Sequence, residues 1–305
     1  MDKWLESYAQ SKNITSKYSL NSMKSNLKRI EKVTGKKIEE WKASDFKNPE
    51  AILDKIIEDY SLNTALVTMN AIKMWLVMEN SSSKIIDEYT EYIKDLSHEK
   101  DETVKKQQKN DLEEELGENF DFKRLQKTIR EYVSKNLDGA KGNELVKLLL
   151  ISLFTLQPPT RIGNYLNMEI RRGDGKRLGN DKNYLMVKDG KYKFIFNKYK
   201  TSKHLGKTEL PVTDPLLEKV IAKHIEGKNG RTPIFLEKSQ THVTQLLNSI
   251  TKKILDVPIS VNVLRHSFLT DFMNSNPSIA EKERVAKIVG QTYKVPRMEK
   301  YARVE

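Results

Sequence analysis

Apolar residues along the first hundred positions recur three and four residues apart, which is the spacing of one face of an α-helix. The pattern is clearest in 19–35, where we predict an N-cap at Ser19 and a C-cap at Gly35. It continues through 61–80. Residues 1–100 are therefore predicted to form a small all-α domain.

The segment that follows, residues 101–119, is almost wholly polar and charged and has hardly an apolar anchor. Such a stretch is typical of a solvated linker. One exposed helix inside a single domain fits the same residues equally well, and we keep it as the alternative. The preferred division of the chain is 1–100, 101–119 and 120–305.

After Phe120 the pattern changes from helices to strands and back to helices. The segment 143–159 is apolar all round and is predicted to be a buried helix. Asp189-Gly190 is typical of a type I′ hairpin turn between two strands. The runs with strand character are 183–190, 191–199 and 207–212. The predicted fold class is mainly α with a small antiparallel β-sheet: an all-α N-terminal domain, then a mixed α+β domain.

Composition narrows the partner and the chemistry. The 305 residues carry a formal net charge of +12 and no cysteine, so an anionic partner is favoured and thiolate metal sites are excluded. Nucleic acid is the first candidate; an anionic membrane surface is the second, but we find no amphipathic helix with aromatic anchors. No apolar run approaches about 18 residues, so we predict no membrane span and an intracellular location. We also predict no metal or cofactor, because no phosphate-loop, dinucleotide or zinc-protease motif is present.

One apolar helix raises a specific question, VNVLRHSFLTDF at 261–272. Val263, Leu264 and Phe268 suit a buried face, yet Arg265 and His266 fall in its predicted first turn. A buried arginine is costly unless something anionic meets it. The helix therefore indicates a binding site for an anion.

Further cationic groups lie elsewhere in the second domain. Arg161 follows a Pro-Pro turn, and four lysines crowd the turn after the second predicted strand: Lys198, Lys200, Lys203 and Lys207. One guanidinium group can bind two oxygens of a phosphate at once, and helix N-termini add positive potential. A tyrosine hydroxyl such as that of Tyr301 can be a covalent nucleophile if its developing charge is neutralised. Together these groups could bind one DNA phosphate and transfer it to Tyr301.

The order of these motifs resembles the tyrosine recombinase/integrase family, and the resemblance covers both predicted domains. TRIGNYLNMEI (160–170) is similar to the first arginine box, and KTSKHLGKTELPV (200–212) is similar to the β-turn lysine and the strand after it. VNVLRHSFLTDF is similar to the H-x-x-R-H box, and KIVGQ (287–291) with Tyr301 is similar to the last box. Each box alone is weak, but four in order are fairly specific.

The resemblance implies roles residue by residue. Arg161 and Arg265 would hold the non-bridging oxygens of the phosphate at which DNA is cut. Lys200 would protonate the 5′-hydroxyl leaving group, with Lys198 and Lys203 as rivals for that role. Tyr301 would form a 3′-phosphotyrosyl link, and Tyr293 is a rival nucleophile that comes too soon after the last box. The family needs neither a metal ion nor ATP.

The sequence departs from the family pattern in three places. Asn262 stands where the family has the histidine of H-x-x-R, and Gln291 stands at the second histidine. Both side chains can donate hydrogen bonds to phosphate but cannot shuttle protons near neutral pH. Asn262 could also be the N-cap of its helix. Many family members have a C-terminal helix after this tyrosine that packs into a neighbouring protomer, whereas only four residues follow Tyr301 here. We therefore expect either assembly through other surfaces or a truncated sequence.

The resemblance also implies partners. We expect double-stranded DNA, a homotetramer on two DNA sites, and integration or excision of a viral or mobile element. Lys198, Lys203, Lys207, His266, Lys24 and Lys28 are predicted to contact DNA, and binding should weaken steeply with salt. Two alternatives stay open: a type IB topoisomerase, and a DNA-binding relative that has lost catalysis through Asn262 and Gln291.

Overall fold

The structure is a computed structural model, and it describes residues 1–105, 111–175, 178–228, 230–235 and 239–290. The chain forms two compact units, Met1–Lys106 and Gln107–Glu305. The described part is mainly helical with one four-stranded sheet, so the predicted fold class is confirmed except that the sheet is mixed. None of the helices in these ranges is long and apolar enough to cross a membrane.

The first unit is all helical. Its helices are α1 Asp2–Ser11, α2 Lys17–Thr34, α3 Pro49–Asp59, α4 Leu62–Met78 and α5 Ser83–Lys105. Its core includes the contacting rings of Trp41, Phe46 and Trp75. Gly35 is the αL C-cap of α2, as predicted. The predicted N-cap is wrong, because the Ser16 side chain accepts from the Ser19 N–H and starts the helix earlier.

The segment predicted to be a linker contains helical structure where it is described. Helix α5 runs to Lys105, α6 spans Asp111–Glu115, and a 3-10 turn spans Gly117–Phe120. Leu116 and Phe120 belong to the core of the second unit. The assignment of 101–119 as a linker between two functional domains stays a prediction.

The second unit surrounds one large core. Its further helices are α7 Phe122–Asn136, α8 Gly142–Thr155, α9 Gly163–Leu166, α10 Ser202–Leu205, α11 Pro215–Ile225, α12 Gln240–Leu255, α13 Val261–Asn274 and α14 Ile279–Val289. Helix α8 is buried along its second half, as its all-round apolar pattern predicts. Helices α7, α11 and α12 pack against it. This core fixes the frame from which the candidate residues project.

The sheet confirms the three predicted strands and adds one. Its strands are β1 Glu169–Arg172, β2 Tyr184–Lys188, β3 Lys191–Phe196 and β4 Thr208–Pro211, in the spatial order β1-β2-β3-β4. Pairs β2–β3 and β3–β4 are antiparallel, and Asp189 and Gly190 both have positive φ, as a type I′ turn requires.

The prediction of a purely antiparallel, three-stranded sheet is wrong because β1 pairs with β2 in parallel. Only Ile170 gives this strand an apolar position, so its letters show no alternation. Glu169 is buried all the same. Its carboxylate pairs with Arg171 at 2.6 Å and with Lys182, which satisfies the charge inside the protein.

Candidate functional site

The candidate site is built around the C-terminal end of helix α14. The helix ends at Val289, and its C-cap Gly290 has a φ of 72°, in the αL conformation. Leu269 of α13 packs with Val285, Ala286 and Val289 of α14. This small apolar cluster holds the end of α14 against α13. The carbonyls of Val289 and Gly290 lie at that C-terminal end. The last carbonyls of a helix carry negative partial charge, so they attract cations.

Arg265 meets the first of these carbonyls. It lies in the second turn of α13, and only 2% of the residue is exposed. Its Nη2 donates a hydrogen bond of 2.9 Å to the Val289 carbonyl oxygen. The expectation of a first-turn arginine is wrong, because Arg265 is the fifth residue of the helix that begins at Val261 and so lies just beyond its first turn. The buried position itself is confirmed.

Arg161 meets the second carbonyl. It follows the Pro158-Pro159 turn, and its backbone N–H donates to Thr160 Oγ1 at 2.7 Å. Its Nη1 donates to the Gly290 carbonyl oxygen at 2.8 Å. The side chain is only partly buried. The two arginines, which the sequence analysis could only pair by resemblance, therefore converge on consecutive carbonyl groups.

The lysine turn reaches the same place through a threonine. Thr201 Oγ1 donates to the Gly290 carbonyl oxygen at 3.1 Å, beside the Arg161 guanidinium. Lys200 precedes Thr201 and is exposed, as are Lys198 and Lys203. The Thr201 side chain thus joins the lysine turn to the same carbonyl oxygen that Arg161 binds. The choice among the three lysines stays a prediction.

Two other lysines have carboxylate partners. Lys207 Nζ lies 2.7 Å from Glu209 Oε1, and the pKa of Glu209 is lowered by hydrogen bonds from Lys193 first and then from Lys207. Lys24 Nζ lies 2.7 Å from Asp2 Oδ1, and that hydrogen bond lowers the pKa of Asp2. Lys28 is exposed on α2. A DNA phosphate would have to compete with these carboxylates at Lys207 and Lys24.

Asn262 and His266 lie on α13 on either side of Arg265. Asn262 is exposed in the first turn; it is not the N-cap, because the Ser260 side chain accepts from Val263 N. His266 Nδ1 lies 2.5 Å from Glu113 Oε1, and Glu113 is fully buried. The imidazole is thus engaged with α6.

Gln291 and Tyr301, with the rival Tyr293, lie outside the described residues. Gln291 follows Gly290 directly in the chain. Within the described ranges, no cluster of His, Asp and Glu side chains could hold a metal ion. Sequence analysis missed Thr201 and the part played by the α14 carbonyls, since an isolated threonine and a backbone carbonyl give no pattern.

Comparisons with known proteins add little. No protein-family model matches this sequence, and no curated protein matches it. Among solved structures, the chain is similar to one described as the crystal structure of XerA recombinase, with 13% identity and a TM-score of 0.40. The match covers 100% of this chain and 94% of that chain. A likeness this low shows neither a family nor an activity for this chain.

Proposed function

We propose that this chain cuts and rejoins double-stranded DNA through a 3′-phosphotyrosyl intermediate, as a site-specific recombinase resembling the tyrosine recombinase/integrase family. The observation that carries the proposal is the convergence of Arg161 and Arg265 on the Val289 and Gly290 carbonyls, with Thr201 of the lysine turn on the same Gly290 oxygen. Residues from three distant parts of the sequence meet there, and two of them bring guanidinium groups that suit a phosphate.

The two guanidinium groups are suited to a phosphate that gains charge during transfer. Arginine offers five N–H donors in a planar arrangement. One N–H of each guanidinium is held by a carbonyl at 2.8 or 2.9 Å, which fixes both groups. A preorganised pair of this kind stabilises the pentacovalent transition state without reorganising during the reaction.

The chemical step balances without a further reactant. The Tyr301 oxygen bonds to phosphorus, its phenolic proton leaves to solvent, and the bond from phosphorus to the 5′ oxygen breaks. Lys200 gives that oxygen a proton. Rejoining reverses the step, because the phosphotyrosine bond conserves the energy of the original linkage. Asn262 and Gln291 would donate hydrogen bonds to the phosphate but would not transfer a proton.

The wider role follows from the same proposal. A net charge of +12 favours binding of DNA phosphates, and we propose that Lys28, Lys198 and Lys203 contact them. Lys24 and Lys207 would join this set when DNA phosphates displace their carboxylate partners. We leave His266 out of this set because its ring pairs with Glu113. We further propose a homotetramer on two DNA sites, acting in integration or excision of a viral or mobile element.

A second function has its own supporting observation. The same two arginines satisfy the carbonyls at the end of α14 and complement the negative end of its dipole. Capping of this kind would suffice in a DNA-binding relative that no longer cuts. Such a protein would bind DNA with strong salt dependence and form no covalent product.

Covalent trapping separates these functions. Labelled duplexes with one nick, tiled across the DNA that flanks the gene and pooled with random-sequence duplexes, are incubated with the protein in EDTA and then denatured. We expect a protein–DNA band that protease removes. Salt-sensitive binding with no band on any duplex contradicts the recombinase and favours the binder. A band together with relaxation of generic supercoiled DNA by a monomer favours a type IB topoisomerase.

The Gly290 backbone gives a first test of the site geometry. A Cβ at Gly290 would lie 3.1 Å from Arg161 Nη1, so the guanidinium must move. We expect Gly290→Ala to slow covalent trapping by about tenfold, because misplacing a phosphate-binding group raises the barrier. The αL conformation adds about 1 kcal/mol of destabilisation. The measurement is the trapping rate, alongside thermal unfolding.

Gly35→Ala is the matched control for this change. Gly35 is also an αL C-cap, with a φ of 69° and nothing within 4 Å of its added Cβ. It should lower stability by a similar amount, about 1 kcal/mol, and leave trapping unchanged. Equal trapping rates in the two variants would mean that the position of Arg161 does not matter to the reaction.

A further inference from the structure

Asn183 is a buried amide just before strand β2, and only 6% of it is exposed. Its Oδ1 accepts hydrogen bonds from the backbone N–H groups of Asn197 and Lys198, both at 2.8 Å. Its Nδ2 donates to the carbonyls of Lys198 at 2.9 Å and Asn164 at 2.8 Å. The amide thereby uses two acceptor and two donor positions, which is its full capacity.

All four partners are backbone groups of two segments that matter to the proposed chemistry. Two bonds go to Lys198 and a third to Asn197, at the start of the turn that carries Lys200. The fourth goes to Asn164, which lies three residues after Arg161. A single side chain therefore ties the lysine turn to the arginine segment.

The connection continues from Asn164 to the arginine itself. The Asn164 side chain donates to Thr160 Oγ1, and that same oxygen accepts the Arg161 backbone N–H at 2.7 Å. At its other end the turn is anchored where Thr201 shares the Gly290 carbonyl with Arg161. Lys200 lies between these two anchors. Its own side chain is exposed, so its backbone is what the protein can fix.

We propose that Asn183 is a positioning residue that sets the distance between the lysine turn and the phosphate held by Arg161. This inference rests on the proposed function. Buried hydrogen bonds that are fully satisfied make a rigid support, whereas a missing donor leaves a buried carbonyl without its partner. Among uncharged side chains, only asparagine and the longer glutamine offer two donors and two acceptors in one plane.

The test compares two leaving groups in covalent trapping. One duplex carries the natural 5′ oxygen at the cut phosphate, and the other carries a 5′ bridging sulfur. A thiol has a pKa of about 8.5, so the sulfur leaves as a thiolate and needs no proton from Lys200. The ratio of the two rates depends only on protein that is folded and active. It therefore reports the proton donor separately from stability.

The variant is Asn183→Asp, which keeps the shape and the acceptor but loses donors to Lys198 and Asn164. We expect it to slow trapping on the oxygen duplex by on the order of 10²-fold, because a 1 Å misplacement of a catalytic group costs about that much. On the sulfur duplex we expect a change of less than about threefold, since general acid catalysis is not needed there. Asn183→Ser, which leaves room for a bridging water, serves if the aspartate variant does not fold.

Asn197→Asp is the matched control. Asn197 is partly exposed, and its Nδ2 donates to the Lys182 carbonyl at 2.9 Å, so the same substitution removes a hydrogen bond of the same turn without cutting the link to Asn164. Its ratio of rates should equal that of wild type. Equal slowing of Asn183→Asp on both duplexes overturns the positioning role alone. No band from wild type on either duplex overturns the proposed function, and this inference with it.

Discussion

Tyr301→Phe is expected to abolish the covalent DNA band while DNA affinity stays within about twofold, because one hydroxyl adds little to a phosphate-dominated interface. Phenylalanine keeps the ring and removes only the oxygen that would bond to phosphorus. Loss of a covalent nucleophile lowers rates by on the order of 10⁶-fold in well-defined cases, so no residual band is expected. The measurement is denaturing electrophoresis with the nicked duplexes, and filter binding supplies the affinity.

Tyr293→Phe is the matched control, since it removes the corresponding phenolic oxygen from the rival tyrosine eight residues earlier. It should leave the band intact. If Tyr293→Phe removes the band and Tyr301→Phe does not, the covalent chemistry stands and the nucleophile is Tyr293. If both single variants and the double variant keep the band, the link is not made by either tyrosine, and the carry-over from the family is wrong at this position.

Arg265→Lys is expected to slow trapping by on the order of 10²–10³-fold, the usual cost of removing one preorganised donor from a developing charge. Lysine keeps the positive charge but has no planar pair of donors, so it cannot hold the Val289 carbonyl and a phosphate oxygen together. The same loss is expected to cost roughly 1–3 kcal/mol of stability, because a buried carbonyl loses its hydrogen bond. Rates must therefore be expressed per folded molecule.

Arg172→Lys is the control for this substitution. Arg172 Nη2 also donates to a backbone carbonyl, that of Lys228 at 3.4 Å, but from an exposed position in β1. It should leave the trapping rate unchanged.

A duplex with a methylphosphonate at the cut position adds a second measurement, because it lacks the negative charge that Arg265 would neutralise. We expect it to restore part of the activity of Arg265→Ala. If Arg265→Lys lowers only the unfolding temperature, Arg265 is a cap for α14 and nothing more.

Local patterns in the sequence determine the elements. Alternation and the Asp189-Gly190 pair are enough to predict β2, β3 and their turn, and the all-round apolar letters of α8 predict its burial. They also show that Arg265 is an anomaly in its helix. These features depend on neighbours within about one helical turn or one strand pair, so they can be predicted from the sequence.

Weak local patterns mislead for the same reason. Strand β1 has one apolar residue, and its place beside β2 depends on a parallel pairing and on the charge pairs of Glu169. The N-cap of α2 is shifted because Ser16 and Ser19 are both acceptable caps, and only the final helix geometry selects one.

The sequence by itself determined the kinds of residue available for phosphate chemistry: two arginines, a lysine-rich turn and a late tyrosine. Only the tertiary structure decided that the arginines meet at the end of α14, since Arg161 and the Gly290 carbonyl lie 129 residues apart in the chain. It also decided that Asn183 joins the turn to the arginine segment. Hydrogen bonds between distant segments depend on how the core packs, and no periodicity or spacing encodes them.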